Sequence, residues 1–141
     1  MQLRPDRDPS WFNQLGRDHF PALVGVEIVA VEQGLVRAEL AVRDELFAPN
    51  GFLHAGAVVT LADTAAGYGT VAHLPDGASG FTTLELKTNF MRAARERVLR
   101  CEARAVHLGR STQVWDATVQ VDDDDRPVAL FRCTQLILSQ A

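Results

Sequence analysis

Residues 53–75 read LHAGAVVTLADTAAGYGTVAHLP, and Asp63 is the only formally charged residue among them. Ala, Val, Leu, Gly and Thr make up most of the rest, the composition of a helix surrounded by protein on nearly all sides. The pattern predicts one long helix over about 54–74, closed by Leu74-Pro75-Asp76-Gly77. An ionised carboxylate is costly to bury unless it is paired or hydrogen-bonded. Asp63 therefore needs either a structural partner or a chemical task. Helical spacing places Gly56, Val59, Thr60, Asp63, Gly67 and Thr70 along one stripe, where small residues leave room around the carboxylate.

Outward from this helix the chain changes period. Gly25 to Glu32 and Leu35 to Arg43 read as two strands joined around Gln33-Gly34. In the second, Val36, Ala38, Leu40 and Val42 alternate with Arg37, Glu39 and Arg43, the mark of a sheet with one covered and one wet face. Four further strands are expected at 81–91, 98–108, 111–122 and 127–138. In the first of these, Leu84, Leu86, Thr88 and Phe90 alternate with Thr83, Glu85, Lys87 and Asn89. The turns between them are short: Arg92 to Glu96, Gly109-Arg110, and the acidic run Asp122 to Asp125 with Arg126-Pro127, read as a solvated hairpin turn. Short connections favour antiparallel neighbours. A short helix opens the chain at Pro9-Ser10, with Trp11, Phe12, Leu15 and Phe20 on one apolar face. The expected architecture is α+β, a single domain over 1–141. A curved antiparallel sheet of about six strands wraps one long central helix and carries its charges on the outer face.

Composition narrows the function classes. At 141 residues the chain is about one domain long, and its formal charge of -4 argues against a nucleic-acid partner. Cys101 and Cys133 lie in apolar-alternating segments without CxxC or Cys/His spacing, which reads as buried free thiols. His19, His73 and His107 have no ligand-like spacing, so no metal is expected. The start MQLRPDRDPSW lacks an apolar signal core, and residues 55–74 carry Asp63 and no aromatic belt, so neither a leader nor a membrane span is expected. The cytoplasm is the expected compartment.

The element order, together with GFLHAGAVVTLADTAAGYG, resembles the hotdog-fold acyl-CoA thioesterases of the PaaI-like branch. The likeness runs from about Phe20 to Leu138. It is carried by Gly51-x-x-His54-x-Gly56 and then Leu61-Ala62-Asp63-Thr64, where family members read G-x-x-H-G-G and L-A-D-T with the same nine-residue step from His to Asp. TTLELKTNFMRAA is similar to the family's third strand. The chain departs at Ala55, where the family has Gly, and at Ala48, where many members have Asn; Asn50 stands two residues further on.

The resemblance implies hydrolysis of acyl-CoA thioesters with aryl, short or medium acyl groups. Coenzyme A then belongs to the substrate and no separate cofactor is expected. The first amides of a helix lack intrahelical partners, and the helix dipole favours negative charge there. Amides of Ala55 and Gly56 would thus polarise a thioester carbonyl as an oxyanion hole. Asp63 lies about 12 Å further along the helix at roughly 1.5 Å per residue, so it cannot serve its own chain's helix start. The resemblance implies sites between two subunits, in a homodimer or a dimer of dimers, with strand 81–91 paired to its copy. Asp63 would act as general base on water or attack the acyl carbon directly.

For His54 a structural role, orienting the helix start, is preferred over that of base, because the positive end of a helix disfavours a charged imidazole. Thr83 matches a Ser or Thr that assists in relatives; a strand Thr favoured only for its β-propensity is the other reading. Arg92 and Arg110, at strand ends, are candidates to meet the phosphates of coenzyme A. Two other functions fit the same fold: hydration or dehydration of acyl thioesters by a His54–Asp63 pair, and non-catalytic binding of acyl-CoA.

Overall fold

The computed structural model describes residues 1–95 and 98–139. Its elements are α1 (Pro9–Gly16), α2 (Phe20–Val24), β1 (Val26–Glu32), β2 (Leu35–Ala41), a 3-10 turn (Asp44–Leu46), α3 (Ala55–Ala72), β3 (Ala78–Phe90), β4 (Val98–Leu108), β5 (Thr112–Val121) and β6 (Asp124–Ser139). The strands form one six-stranded antiparallel sheet in the order β1-β2-β4-β5-β6-β3. Helix α3 packs against all six strands, so the sheet curls around it as the sequence implies.

Alternation decides which face each residue takes. Leu99, Cys101 and Ala103 of β4, Trp115, Ala117 and Val119 of β5, and Ala129, Phe131 and Cys133 of β6 are buried against α3. Arg100, Arg104 and Arg132 point out of the same strands. Outer-face charges cross-pair, as in Arg37 with Glu32 and Glu102, and Arg132 with Asp116. Exposed pairs of this kind contribute little to stability, about 0–1 kcal/mol each.

Three expectations change. The opening helix is two helices: α1 ends at Gly16, and Phe20 begins α2, where it is 61 % exposed rather than part of α1's apolar face. The cause is packing at Gly16. A Cβ there would stand 2.6 Å from the Tyr68 hydroxyl, so α1 lies close on α3 and the chain must turn away. The acidic run is not wholly a turn. Only Asp122 and Asp123 turn, with Asp123 at φ 62°, and β6 begins at Asp124. Asp122 pairs with Arg100, and Asp124 with Arg92 and Arg126. Hydrogen bonds from Arg126, helped by the nearby Arg92, hold the Asp124 carboxyl well below the usual carboxylate range. The third change concerns the face of Thr83, described with the site. Of the expected 92–96 turn, Glu96 lies outside the described residues.

The far end of α3 is closed by polar groups the sequence did not single out. His73 is fully buried. Its Nδ1 lies 2.8 Å from the Gly69 carbonyl, its Nε2 accepts from the Gly34 amide at 3.0 Å, and its own carbonyl accepts from Gln113. Burial lowers its pKa and keeps the ring neutral. From the N-terminal arm, the Arg4 guanidinium donates to the carbonyls of Leu74 and Pro75, and the Arg4 amide donates to Ala72. Among the described residues no helix is long and apolar enough to cross a membrane.

Candidate active site

A tight turn delivers the start of α3. The Gly51 amide donates to the Ala48 carbonyl at 2.9 Å, closing Ala48-Pro49-Asn50-Gly51 with Gly51 at φ +79°. Pro at the second position and Gly at the fourth suit such a turn. Asn50 Oδ1 accepts from the Phe52 amide, so this side chain is used within the turn itself. Phe47 then bridges Leu53, and the His54 amide donates to Leu46, which fixes the direction in which the helix begins.

His54 is the N-cap, and its Nδ1 accepts from the Gly56 amide at 2.8 Å. The Ala57 amide donates to the His54 carbonyl. Of the two amides expected to polarise a carbonyl, Gly56 is therefore engaged by the His54 ring. The Ala55 amide heads the helix from an exposed position. The imidazole is used as a cap.

Asp63 lies further along the same helix, partly buried, and its Oδ1 is sealed from solvent with no hydrogen-bond partner among the described residues. Burial raises its pKa above the usual carboxylate range. The stripe on which it lies is open only in its first half. Gly56 is exposed and Thr60 half-buried, whereas Gly67 and Thr70 are buried, and the Thr70 hydroxyl back-bonds to Ala66. Thr70 is thus no part of an open face.

Thr83, exposed on the edge strand, takes the face of the sheet turned toward α3 by way of an irregularity. Strict alternation puts it on the outer face with Glu85 and Lys87. The β3–β6 register slips between Thr83 and Glu85, so that Thr83 opposes Gln135 and Leu86 opposes Cys133, both of them buried inner-face residues. A β-bulge of this kind re-aims a side chain, and it turns Thr83 inward. Strand and helix run in opposite directions. The Phe81 ring lies 3.2 Å from where a Cβ on Gly67 would stand, while Phe90 shares a groove with Ala55 and Val58. Two residues of strand cover about 6.6 Å and four residues of helix about 6 Å. From the Phe81–Gly67 contact, Thr83 along β3 and Asp63 along α3 both lie toward the start of the helix.

Two inner-face groups lie near this point: Cys133, the buried free thiol the sequence predicts, and Gln135, which the sequence reading passed over. Burial and the nearby Asp63 carboxylate push the Cys133 thiol up to about 12, so it stays protonated and is no nucleophile. Gln135 is fully buried, with Oε1 unpartnered. Only its register opposite Thr83 marks it, and register is not written in a single strand's pattern.

The two arginines part company. Arg92 pairs with Asp124 at 2.9 Å and donates to the Arg126 carbonyl, so much of its donor capacity is used within the chain. Arg110 is exposed in the β4–β5 turn. Arg95, which the sequence reading passed over, lies 4.5 Å over the Phe52 ring, beside the turn that leads into α3.

Comparison with known proteins identifies the family and the fold. The family described as the thioesterase superfamily matches residues 50–128, the span from the α3 turn into β6. A 1,4-dihydroxy-2-naphthoyl-CoA hydrolase of Listeria monocytogenes is 33 % identical over 111 residues, covering 79 % of this chain and 89 % of that protein. The structure of a mutant thioesterase from Pseudomonas aeruginosa superposes with a TM-score of 0.92 at 28 % identity, covering 99 % of this chain and all of the other. The PaaI protein of Escherichia coli shares the fold, with a TM-score of 0.79 at 21 % identity over 94 % of this chain and 96 % of that one.

Proposed function

The chain belongs to the thioesterase superfamily, and from that premise we propose that it hydrolyses acyl-CoA thioesters to the free acid and coenzyme A. One observation carries the reading: a partly buried carboxylate with a sealed, unpartnered oxygen stands on the same helix as an exposed, capped N-terminus. A carboxylate left without a partner is poised to take a proton from water or to attack a carbonyl. A helix start whose Ala55 amide is open offers the donor that a developing oxyanion needs. The name of the Listeria relative, a naphthoyl-CoA hydrolase, supports an aryl or similarly apolar acyl group among the short- and medium-chain candidates.

In this reading Ala55, from the exposed start of α3, polarises the thioester carbonyl. The His54 cap holds the Gly56 amide and keeps the first turn in place. Asp63 activates water or attacks directly, and Thr83 holds the water. Coenzyme A phosphates are met by Arg92, which shares its charge between them and Asp124, while Arg110 stands in the β4–β5 turn as the second candidate. Hydration or dehydration of an acyl thioester would need His54 to carry a proton at the reacting carbon, and its Nδ1 is already an acceptor within the helix start.

The two chemical elements are about 12 Å apart along α3, so the complete site requires a second copy. Strand β3 is the natural seam. It is a sheet edge of 13 residues, and Leu84, Leu86, Phe90 and Met91 on or beside it are exposed. An unpaired edge of this length with apolar side chains calls for cover. A stable, active monomer in sedimentation would end this arrangement. We place the enzyme in the cytoplasm.

Release of free thiol from a panel of acyl-CoAs tests the activity. The wild type should release thiol, and Asp63→Asn should lower turnover by about 10²-fold or more. Tight binding without turnover would make the chain an acyl-CoA-binding protein, and a changed acyl group on an intact thioester would make it a hydratase.

A further inference from the structure

Two grooves flank the start of α3, and their linings differ in charge. One, of about 280 Å³, is lined by Ala55, Phe90, Met91, Arg92 and Val128 among others. The other, of about 340 Å³, runs between α2 and the 3-10 turn, lined by Phe20, Val24, Leu46, Phe47, His54, Gly56, Ala57 and Thr60, with Glu45 at its rim. An acyl-CoA whose carbonyl rests at the helix start must send one arm each way. The coenzyme arm carries phosphates, and only the first groove has an arginine in its lining. Arg95 stands beside it over Phe52. Among the described residues the second groove has no cation in its lining; its one charged residue, Glu45, is acidic and pairs at 3.6 Å with Arg43, which stands outside the lining.

Resting on the thioesterase reading, we propose that the α2 groove takes the acyl group, that Phe20 is a specificity-determining residue, and that the preferred acyl group is neutral and apolar. Phe20 is 61 % exposed, although it lines the groove. A ring so placed has little to do in the free protein and gains cover only when something apolar enters beside it. The wall that carries it is fixed. The Arg43 guanidinium donates to the carbonyls of Leu23 and Val24, which caps α2 and ties it to the end of β2. The groove volume lies in the range of small-ligand sites, and an aromatic ring or a medium alkyl chain suits it. An acyl group ending in a carboxylate would meet Glu45 and find no cation in the lining.

The test measures kcat/KM for acetyl-, octanoyl-, phenylacetyl- and succinyl-CoA, together with the affinity of the non-hydrolysable thioethers S-ethyl-CoA and S-octyl-CoA. For the wild type, octanoyl- and phenylacetyl-CoA should exceed succinyl-CoA at least tenfold. In Phe20→Ala the octanoyl-to-acetyl ratio should fall about tenfold, the scale of a lost apolar contact in a binding pocket. The S-octyl preference over S-ethyl should fall in parallel. Leu23→Ala, on the same helix but outside this groove's lining, should leave the ratio as in the wild type. An unchanged ratio in Phe20→Ala, or an equal fall in Leu23→Ala, would overturn the assignment of the groove while leaving the hydrolase reading intact. If the wild type hydrolyses none of these thioesters, the hydrolase reading fails, and the thioether affinities alone then decide whether Phe20 touches the acyl arm.

Discussion

At the scale of the residue, Asp63 shows what burying a carboxylate costs. Its folded-state pKa is raised by burial, so the protonated form is the one the fold prefers. The stability this group contributes is fully present below the unfolded pKa and is lost as pH rises through the folded one. Above the unfolded pKa, Asp63 therefore weakens the fold relative to a neutral side chain in its place. Asp63→Asn should melt higher than the wild type at pH 7, and the gap should close as pH drops below about 4, the ordinary Asp value. Thermal melts of both proteins across pH check this. A variant that melts lower at pH 7 would mark Asp63 as a structural acid. The partial burial of this lone charge was legible from sequence, because it stands in a long helix of apolar and small residues. Its unpartnered Oδ1 was not, since that depends on what the sheet places beside it.

At the scale of the element, close approach decides what sequence periodicity leaves open. Gly69 faces Trp115, and a Cβ there would stand 2.7 Å from a fully buried ring. Gly69→Ala should therefore cost about 1–3 kcal/mol through overpacking, against a gain of up to about 1 kcal/mol in helix propensity. Gly67 faces Phe81 at 3.2 Å, on the edge strand, where the partly buried ring has room to give. Gly67→Ala should cost clearly less, and urea unfolding of the pair gives the difference. The long helix and the alternation of β2 and β4 to β6 followed from pattern alone, since one face of each is covered. The bulge in β3 did not. Its slip is set by pairing with β6, and it moves Thr83 from the outer face to the inner. The split between α1 and α2 was equally hidden, because Phe20 continues the apolar count while the Gly16–Tyr68 contact ends the helix.

At the scale of the whole molecule, the separation of Ala55 from Asp63 makes a prediction about mixed subunits. One variant carries Asp63→Asn. The other carries Gly56→Val, whose side chain would displace the His54 ring, 2.9 Å from the added Cβ. Each alone should be nearly inactive. In a mixed dimer one site bears both lesions and the other neither, so about half of the wild-type activity per dimer should return, as a two-fold interface requires. No recovery on mixing, with subunit exchange verified by mass and the helix content of Gly56→Val preserved, would place both elements in one chain. The clasp at the other end of α3 has a practical consequence for handling the protein. Arg4 holds the carbonyls of Leu74 and Pro75, and Gln33 holds the backbone of Met1 and Leu3. A purification tag fused ahead of Met1 pulls on the strap that closes the central helix, and one fused at the opposite terminus is the control. The first should lower the melting temperature by a few degrees, and proteolytic removal of the tag should restore it.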